Sequence, residues 1–239
     1  MLRMSARTDC SLQEAVIIRA LAIALALISV GFFITLLGHN PFSVYLSMAE
    51  GAFGSAYRIT ETIRKAVPLI IVSLGISLAF RLRFWNIGAE GQIMMGAFGA
   101  TFCALNFQSL PSYILLPLMG FASILCGGIW GAIPAYFRAA FRTNETIFTL
   151  MMNYIALKII TYLQYGPWKD PGALGFPKIP VFTENAVLPS FFGLHIGWTI
   201  AILLVIIIHI FVNHTQRGYE INVVGESENT GRYAGINVR

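Results

Sequence analysis

The chain has 239 residues and a net charge of +5, with 56% apolar and only 11% charged side chains. An ordinary soluble domain carries roughly 25% charged residues, so this composition cannot cover a water-exposed surface. The basic residues are scattered in ones and twos without a basic run, which excludes the usual pattern of a nucleic-acid-binding protein. The composition therefore favours a protein that is embedded in a membrane.

Six apolar stretches predict helices that cross a membrane, each near the roughly 20 residues that this requires. They are residues 16–37, 66–80, 87–107, 112–137, 146–165 and 194–212. We therefore predict an all-α polytopic membrane protein with about six transmembrane helices, forming a single permease-like domain over residues 1–239. An even number of spans puts both termini on one side, and ten basic residues flank that side against five on the other. The positive-inside rule then predicts cytoplasmic termini.

Two connecting segments are expected on the external side. Residues 42–65 mix basic and acidic side chains with apolar ones, which predicts an interfacial helix. Residues 166–193 are rich in Pro and Gly and carry Trp168, which predicts an ordered loop near the lipid headgroups.

The second span is unusually short. Residues 66–80 give about 22 Å of helix, less than the roughly 30 Å of a hydrocarbon core, and they include Pro68 and Gly75. One interpretation is a broken helix at a transport site. The alternative is a tilted helix that is completed by flanking residues.

Spans three and four carry many glycines, including a GxxxG pattern from Gly127 to Gly131. Small residues at this spacing let helix backbones approach closely. They predict a tight bundle rather than a chemical site.

The stretch that joins spans two and three places Asn86, Glu90 and Gln92 at a membrane boundary among glycines. In one interpretation Asn86 caps the next helix, and Glu90 pairs with Arg81 or Arg83. In the other, the three polar residues line a path through the bundle. The spacing alone leaves both open.

These residues also carry a family resemblance. The run Phe84-Trp-Asn-Ile-Gly-Ala-Glu-Gly-Gln92 resembles the NIGAEGQ signature of permease subunits from bacterial ABC importers for nucleosides and simple sugars, a branched-chain amino acid permease-like family. The run from Asn144 to Ala156 is similar to the family's NE-x-I-x-T-L-M-x-N-Y-I-A stretch, and Pro68-Leu-Ile fits as well. The matches occur in the family's order.

The segment 213–239 resembles the cytoplasmic loop through which such permeases engage an ATPase. By local pattern, Gly225 offers a turn, Ser227 a helix cap and Gly235 a stop. Without the resemblance an ordinary solvated tail would be preferred. The residues expected to couple to the ATPase are Gly218, Gly225, Glu226, Asn229, Arg232, Tyr233, Ala234 and Gly235.

The resemblance implies a permease subunit of an ATP-driven importer in the bacterial plasma membrane, with no catalytic residues, metal or cofactor of its own. The implied partners are an ATP-binding subunit that holds ATP and Mg, a second permease copy or homologue, an extracytoplasmic solute-binding protein, and lipid. Permeases of this family usually continue with further helices, which this chain would lack. The candidate substrate-path residues are Asn86, Glu90, Gln92, Asn153 and Tyr154.

Two other classes remain as alternatives. An ion-coupled secondary transporter would need paired acidic residues at mid-bilayer depth, where only Glu90 qualifies, near a helix end. A membrane-embedded enzyme would need a nucleophile and a base that converge. Lys158, inside span five, has two interpretations: it snorkels to the outer interface, or it faces a substrate path.

Overall fold

The computed structural model describes residues 11–173, 175–191 and 193–237. Within these ranges the helices are α1 (Leu12–Leu36), α2 (Pro41–Phe53), α3 (Ala56–Arg81), α4 (Ala89–Asn106), α5 (Ser112–Phe141), α6 (Glu145–Tyr165), α7 (Gly197–His214), α8 (Gln216–Glu226) and α9 (Glu228–Tyr233). A 3₁₀ helix (Glu184–Ala186) and a hairpin of β1 (Ser190–Phe191) with β2 (Leu194–His195) lie between α6 and α7. The predicted all-α architecture is confirmed.

Five of the described helices are long and apolar enough to cross a membrane, namely α1, α3, α5, α6 and α7. The third predicted span is α4, an 18-residue helix that is made more polar by Glu90, Gln92 and Asn106. At 1.5 Å per residue it extends about 27 Å, close to the thickness of the hydrocarbon core. The chain is therefore a multi-pass membrane protein.

The chain divides into two compact units after Thr62. In the first unit, α1 begins at a capping box in which Ser11 and Glu14 each accept a hydrogen bond from the other's backbone N–H. The Tyr45 hydroxyl of α2 donates to the Leu27 carbonyl at 2.6 Å. The hydrogen bond from Tyr45 joins α2 to α1.

Of the two interpretations of the second span, the broken helix is wrong, and the helix completed by flanking residues is the one that the structure shows. Helix α3 runs without interruption for 26 residues, and Pro68 lies inside it. The predicted start at residue 66 was too late, because the prediction counted only uncharged residues. The helical hydrogen bonds of the backbone continue through Arg64 and Lys65. Proline removes one donor from the ladder, a loss that a long helix tolerates in a membrane when neighbours satisfy the freed carbonyl.

The predicted interfacial segment, residues 42–65, contains two helical stretches rather than one. Helix α2 ends at Phe53, and α3 begins at Ala56 after the C-cap residue Gly54. Arg58 Nη1 donates to the Glu50 carbonyl at 2.7 Å across this break. Its position at a membrane interface stays a prediction.

The second unit is organised around the packing of α4 against α5 and α6. A Cβ added to Gly99 of α4 would lie 2.5 Å from the backbone oxygen of Ala122 in α5. One turn earlier, a Cβ on Gly96 would lie 3.0 Å from Ser123 Oγ, and Gly127 of α5 faces the Gln92 backbone. The prediction of close helix contact through small residues is confirmed.

Replacing Gly99 with Ala is expected to destabilise the protein by about 1–3 kcal/mol, because overpacking forces two backbones apart. The measurement is the midpoint of thermal unfolding in detergent. Gly128→Ala is the matched control, since a Cβ at this α5 position meets no atom within 4 Å. Equal midpoints for the two variants would contradict the packing described for α4 and α5.

The segment 166–193, which was predicted to be an ordered loop, packs onto the helices through a few side chains. Ala186 is buried against Ala104 and Leu115, and the Trp168 ring stacks on Phe98 with centroids 5.3 Å apart. The described part of the loop packs on the helices, while its order and its external location stay predictions.

Candidate functional site

The polar signature stretch forms a tight turn between α3 and α4. Asn86 Oδ1 accepts a hydrogen bond from the Gly88 N–H at 2.9 Å, and Asn86 Nδ2 donates to Gln92 Oε1 at 3.4 Å. The N-cap of α4 is Gly88, so the interpretation of Asn86 as that cap is wrong by two residues. Asn86 instead shapes the turn that leads into the helix.

Two buried side chains of α6 hold this turn in place. Asn153 Nδ2 donates to the Ile87 carbonyl at 2.9 Å, and Asn153 Oδ1 accepts from the Gly91 N–H at 2.8 Å. Thr149 Oγ1 accepts from the Ile87 N–H at 3.2 Å. Asn153 is 9% exposed and Thr149 0%. Asn153, a candidate path residue, is therefore placed as a clamp whose amide atoms are already bonded to backbone.

The signature glycines are explained by this clamp. A Cβ on Gly88 would lie 2.9 Å from Thr149 Cβ, and one on Gly91 would lie 2.8 Å from Asn153 Oδ1. Gln92 packs against α5, where a Cβ on Gly131 would lie 2.8 Å from its Nε2. Side chains at these glycines would push the turn away from α6.

Glu90 is exposed, and in the described part of the chain it forms no ion pair with Arg81 or Arg83. Arg81 Nη1 instead donates to Asn222 Oδ1 of α8 at 3.0 Å. The interpretation of Glu90 as an arginine partner is wrong: Arg81 bonds α8 instead, and among the described residues Arg83 pairs with no carboxylate.

A cleft of about 1040 Å³, called here the arginine cleft, lies beside the turn. Asn86 and Gln92 are on its wall, together with four arginines from three parts of the chain: Arg83, Arg138, Arg142 and Arg232. Its other lining residues are Ala79, Leu82, Phe84, Gly131, Ala135, Ala139, Ala140, Phe141 and Val224.

The start of α6 is tied to this cleft. Asn144 Oδ1 caps α6 by accepting from the Ile147 N–H at 3.2 Å. Glu145, 8% exposed, pairs with Arg138 at 3.3 Å. The adjacent Asn144 and Glu145 of the sequence motif therefore have different structural roles: Asn144 caps α6, and Glu145 forms the ion pair with Arg138. The motif match alone did not distinguish these roles.

The segment expected to couple to a partner forms the short helices α8 and α9. Ser227 Oγ caps α9 by accepting from the Thr230 N–H at 3.3 Å, and Gly235, with φ +76°, follows its end. Both predictions are confirmed. The predicted turn at Gly225 is wrong: Gly225 lies in the last turn of α8, where a Cβ would collide with the Arg81 carbonyl oxygen.

The other expected coupling residues divide by exposure. Gly218 is buried, and a Cβ there would collide with the Phe211 and Val212 carbonyls at the end of α7. The exposed ones are Glu226, Asn229, Arg232, Tyr233 and Ala234. Tyr233 is 94% exposed. The buried glycines anchor the segment, and the exposed residues form a free surface.

Tyr154, the last candidate path residue, lies apart from the arginine cleft. It lines a groove of about 590 Å³ along the C-terminal half of α6, with Phe98, Ile155, Lys158, Ile159, Tyr162 and Leu163. Tyr154, Lys158 and Tyr162 follow one another at i, i+4 and i+8 and therefore share one face of the helix. Lys158 thus opens onto a groove walled by aromatic rings, which we call the aromatic groove.

Several known proteins are similar to this chain. A guanosine ABC transporter permease protein of Bacillus subtilis is 33% identical over 92% of this chain and 64% of its own length. A glucose ABC transporter permease protein of Haloferax volcanii is 33% identical over 90% of this chain and 60% of its own length. A nucleoside ABC transporter permease protein of Lactococcus lactis is 31% identical over 84% and 58%.

The chain thus spans about three fifths of the length of these curated relatives. No solved structure matches it significantly. The family described as branched-chain amino acid transport system, permease component, matches residues 58–239. That range holds the clamped turn, the arginine cleft and the α8–α9 segment. The chain belongs to this permease family.

Proposed function

We propose that this chain is the membrane-spanning permease subunit of an ATP-driven ABC importer for a nucleoside or a simple sugar. The proposal is supported by its family and by relatives that are named as guanosine, nucleoside and glucose permeases. Membership of this family favours ATP-driven import over the ion-coupled alternative.

One structural observation carries the proposal: the α8–α9 segment is connected directly to the clamped turn. Gly225 lies against the Arg81 carbonyl, and Arg81 donates to Asn222. The chain continues from Arg81 into the turn that Asn153 and Thr149 hold. A partner that moves α8 and α9 would therefore move the junction between α3 and α4. Such a movement is needed if the helix bundle is to change between two conformations during transport.

The partners follow from this role. A separate subunit would bind and hydrolyse ATP with Mg and would contact the exposed residues of α9. A second permease copy or homologue would complete the path, and an extracytoplasmic binding protein would deliver the solute. The location would be the bacterial plasma membrane, with both termini in the cytoplasm, as the excess of basic residues on that side supports.

The test is uptake of a labelled nucleoside into vesicles that contain this chain with the ATPase and the binding protein encoded beside it. We expect uptake that requires both ATP hydrolysis and the binding protein. Uptake that continues without hydrolysis and follows an imposed ion gradient would overturn the proposal.

For the substrate path we propose contacts at both cavities of the second unit: Asn86 and Gln92 in the arginine cleft, and Tyr154 in the aromatic groove. Glu90 is exposed and belongs to neither lining. Lys158, with three donor hydrogens, would bond the oxygens of a base or a sugar. The tyrosine rings would stack on a planar base.

Tyr154→Ala is expected to raise the KM for nucleoside uptake about tenfold, because stacking of a base on an aromatic ring contributes roughly 1–3 kcal/mol. Tyr113→Ala is the control, since Tyr113 is 78% exposed and lies outside the groove. A glucose-type substrate has no aromatic base to stack on the ring, so its KM should change less. An unchanged KM for the nucleoside would remove Tyr154 from the path.

A further inference from the structure

Most of the positive charge of the arginine cleft is not neutralised by ion pairs within the described part of the protein. Of its four arginines, Arg138 is paired with Glu145. The side chains of Arg83, Arg142 and Arg232 have no ion pair or hydrogen bond within the described ranges, and all three are exposed. The lining contains no Asp or Glu. Three positive charges therefore converge on one cavity without a compensating carboxylate on its wall.

Two of these arginines occupy backbone positions that favour glycine. Arg83 has φ +53° and Arg142 φ +54°. Arg83 follows the end of α3, where its N–H donates to the Phe80 carbonyl and the Phe84 N–H donates to the Ala79 carbonyl. This is the Schellman pattern, whose left-handed position is usually glycine. Arg142 is the left-handed C-cap of α5.

A side chain at such a position makes the backbone conformation less favourable than glycine would. Two arginines at equivalent helix ends, both lining one cavity, therefore indicate that the guanidinium groups serve a purpose outside the fold. Residues in this backbone region often belong to ligand sites.

The cleft also has the shape and position of a headgroup site. It lies where α3 and α5 end and α4 and α6 begin, which is a membrane boundary for helices that cross the bilayer. Arginines suit a phosphate because the planar guanidinium donates two parallel hydrogen bonds to its oxygens. Phe84, Phe141 and Leu82 line the same cavity and offer apolar contact to lipid chains. Basic pockets between membrane helices are typical binding places for anionic headgroups.

We propose that the arginine cleft binds a phosphate group, supplied either by the headgroup of an anionic phospholipid or by free phosphate. The group lies between Arg83, Arg142 and Arg232, and so connects the α3–α4 turn, the end of α5 and helix α9. Its presence would hold α9 against the bundle. Asn86 and Gln92 on the same wall are proposed above as solute contacts, so a bound phosphate would share the cleft with the solute, whichever solute the protein transports.

The test measures binding to the full-length chain in a neutral detergent. One arm uses short-chain phosphatidylglycerol with phosphatidylcholine as its uncharged counterpart, and the other uses inorganic phosphate. We expect the Arg83→Gln, Arg142→Gln, Arg232→Gln variant to bind about tenfold more weakly or worse, because hydrogen bonds to charged groups are lost. The control variant, Lys169→Gln, Lys178→Gln, Arg217→Gln, removes equal charge outside the cleft and should bind as the unaltered chain does.

A second variant, Arg83→Gly with Arg142→Gly, separates binding from folding. Glycine suits both backbone positions, so its thermal midpoint without ligand should equal or exceed that of the unaltered chain, while binding is weakened. Binding of phosphatidylglycerol without phosphate supports the lipid source, and binding of both supports a general phosphate site. Equal binding by the cleft and control variants would overturn the proposal. Failure of both ligands to bind the unaltered chain would also overturn it.

Discussion

Replacing Asn153 with Leu is expected to lower the free energy of unfolding by about 2–6 kcal/mol, because each of two buried backbone groups left without a partner costs about 1–3 kcal/mol. These groups are the Ile87 carbonyl and the Gly91 N–H, which Asn153 now bonds at 2.9 and 2.8 Å. Leu has the same branched arrangement of side-chain heavy atoms and can bond neither group. Its methyl groups are larger than the amide atoms, so part of the loss is one of packing. Thermal unfolding in detergent measures it.

A second readout reports the turn itself. Freed from α6, the turn should become accessible to trypsin after Arg83, and the cleavage rate should rise. Asn106→Leu is the matched control, because Asn106 is exposed and donates only to the Phe102 carbonyl of its own helix. If Asn153→Leu unfolds and is cleaved no differently from this control, then the clamp does not stabilise the turn.

Replacing Gly225 with Val is expected to reduce nucleoside uptake about tenfold or more, since a clash against backbone costs at least the roughly 1–3 kcal/mol of an overpacked core. A Cβ at Gly225 would occupy the position of the Arg81 carbonyl oxygen, so α8 has to separate from the end of α3. The separation breaks the connection between α9 and the clamped turn. ATP hydrolysis by the assembled importer should continue and should no longer respond to the loaded binding protein.

Gly75→Val is the control for this change. It lies in the same helix as Arg81, and a Cβ there meets nothing within 4 Å. The variant should insert normally and transport at the rate of the unaltered chain. Normal uptake by Gly225→Val would show that the α8–α9 segment does not act through α3.

The two changes address opposite ends of one connection. Asn153 holds the turn from the side of α6, and Gly225 holds it from the side of α8. Loss of the first should appear mainly in stability, and loss of the second mainly in coupling. A variant that combines both should show both defects, because the two contacts share no residue.

Parts of the site were predictable because they depend on local chemistry. Ser227 caps α9 and Gly235 ends it through hydrogen bonds that span three to five residues. Asn144 caps α6 in the same way. Such patterns are visible in a sequence because their partners are close neighbours along the chain.

The wrong predictions have other causes. The start of α3 was misjudged because charged residues were read as a boundary, although a helix ends where its hydrogen bonds end. Gly225 was expected at a turn, whereas it lies in α8, where its lack of a side chain leaves room for the Arg81 carbonyl. Glu90 was paired with a near neighbour in sequence, but Arg81 reaches α8 instead. For Gly225 and Glu90, a contact with a distant part of the chain overruled a local expectation.

The sequence by itself determined the membrane solvent, the positions of the main helices and the family, because hydropathy, helix caps and motif order depend on residues close together in the chain. Only the tertiary structure decided which polar groups are buried and what they bind. Asn153 became a clamp through partners 62 and 66 residues away, and Arg81 found Asn222 across 141 residues. The arginine cleft likewise exists only because the ends of α3 and α5, the starts of α4 and α6, and helix α9 meet, and no local pattern encodes such a meeting.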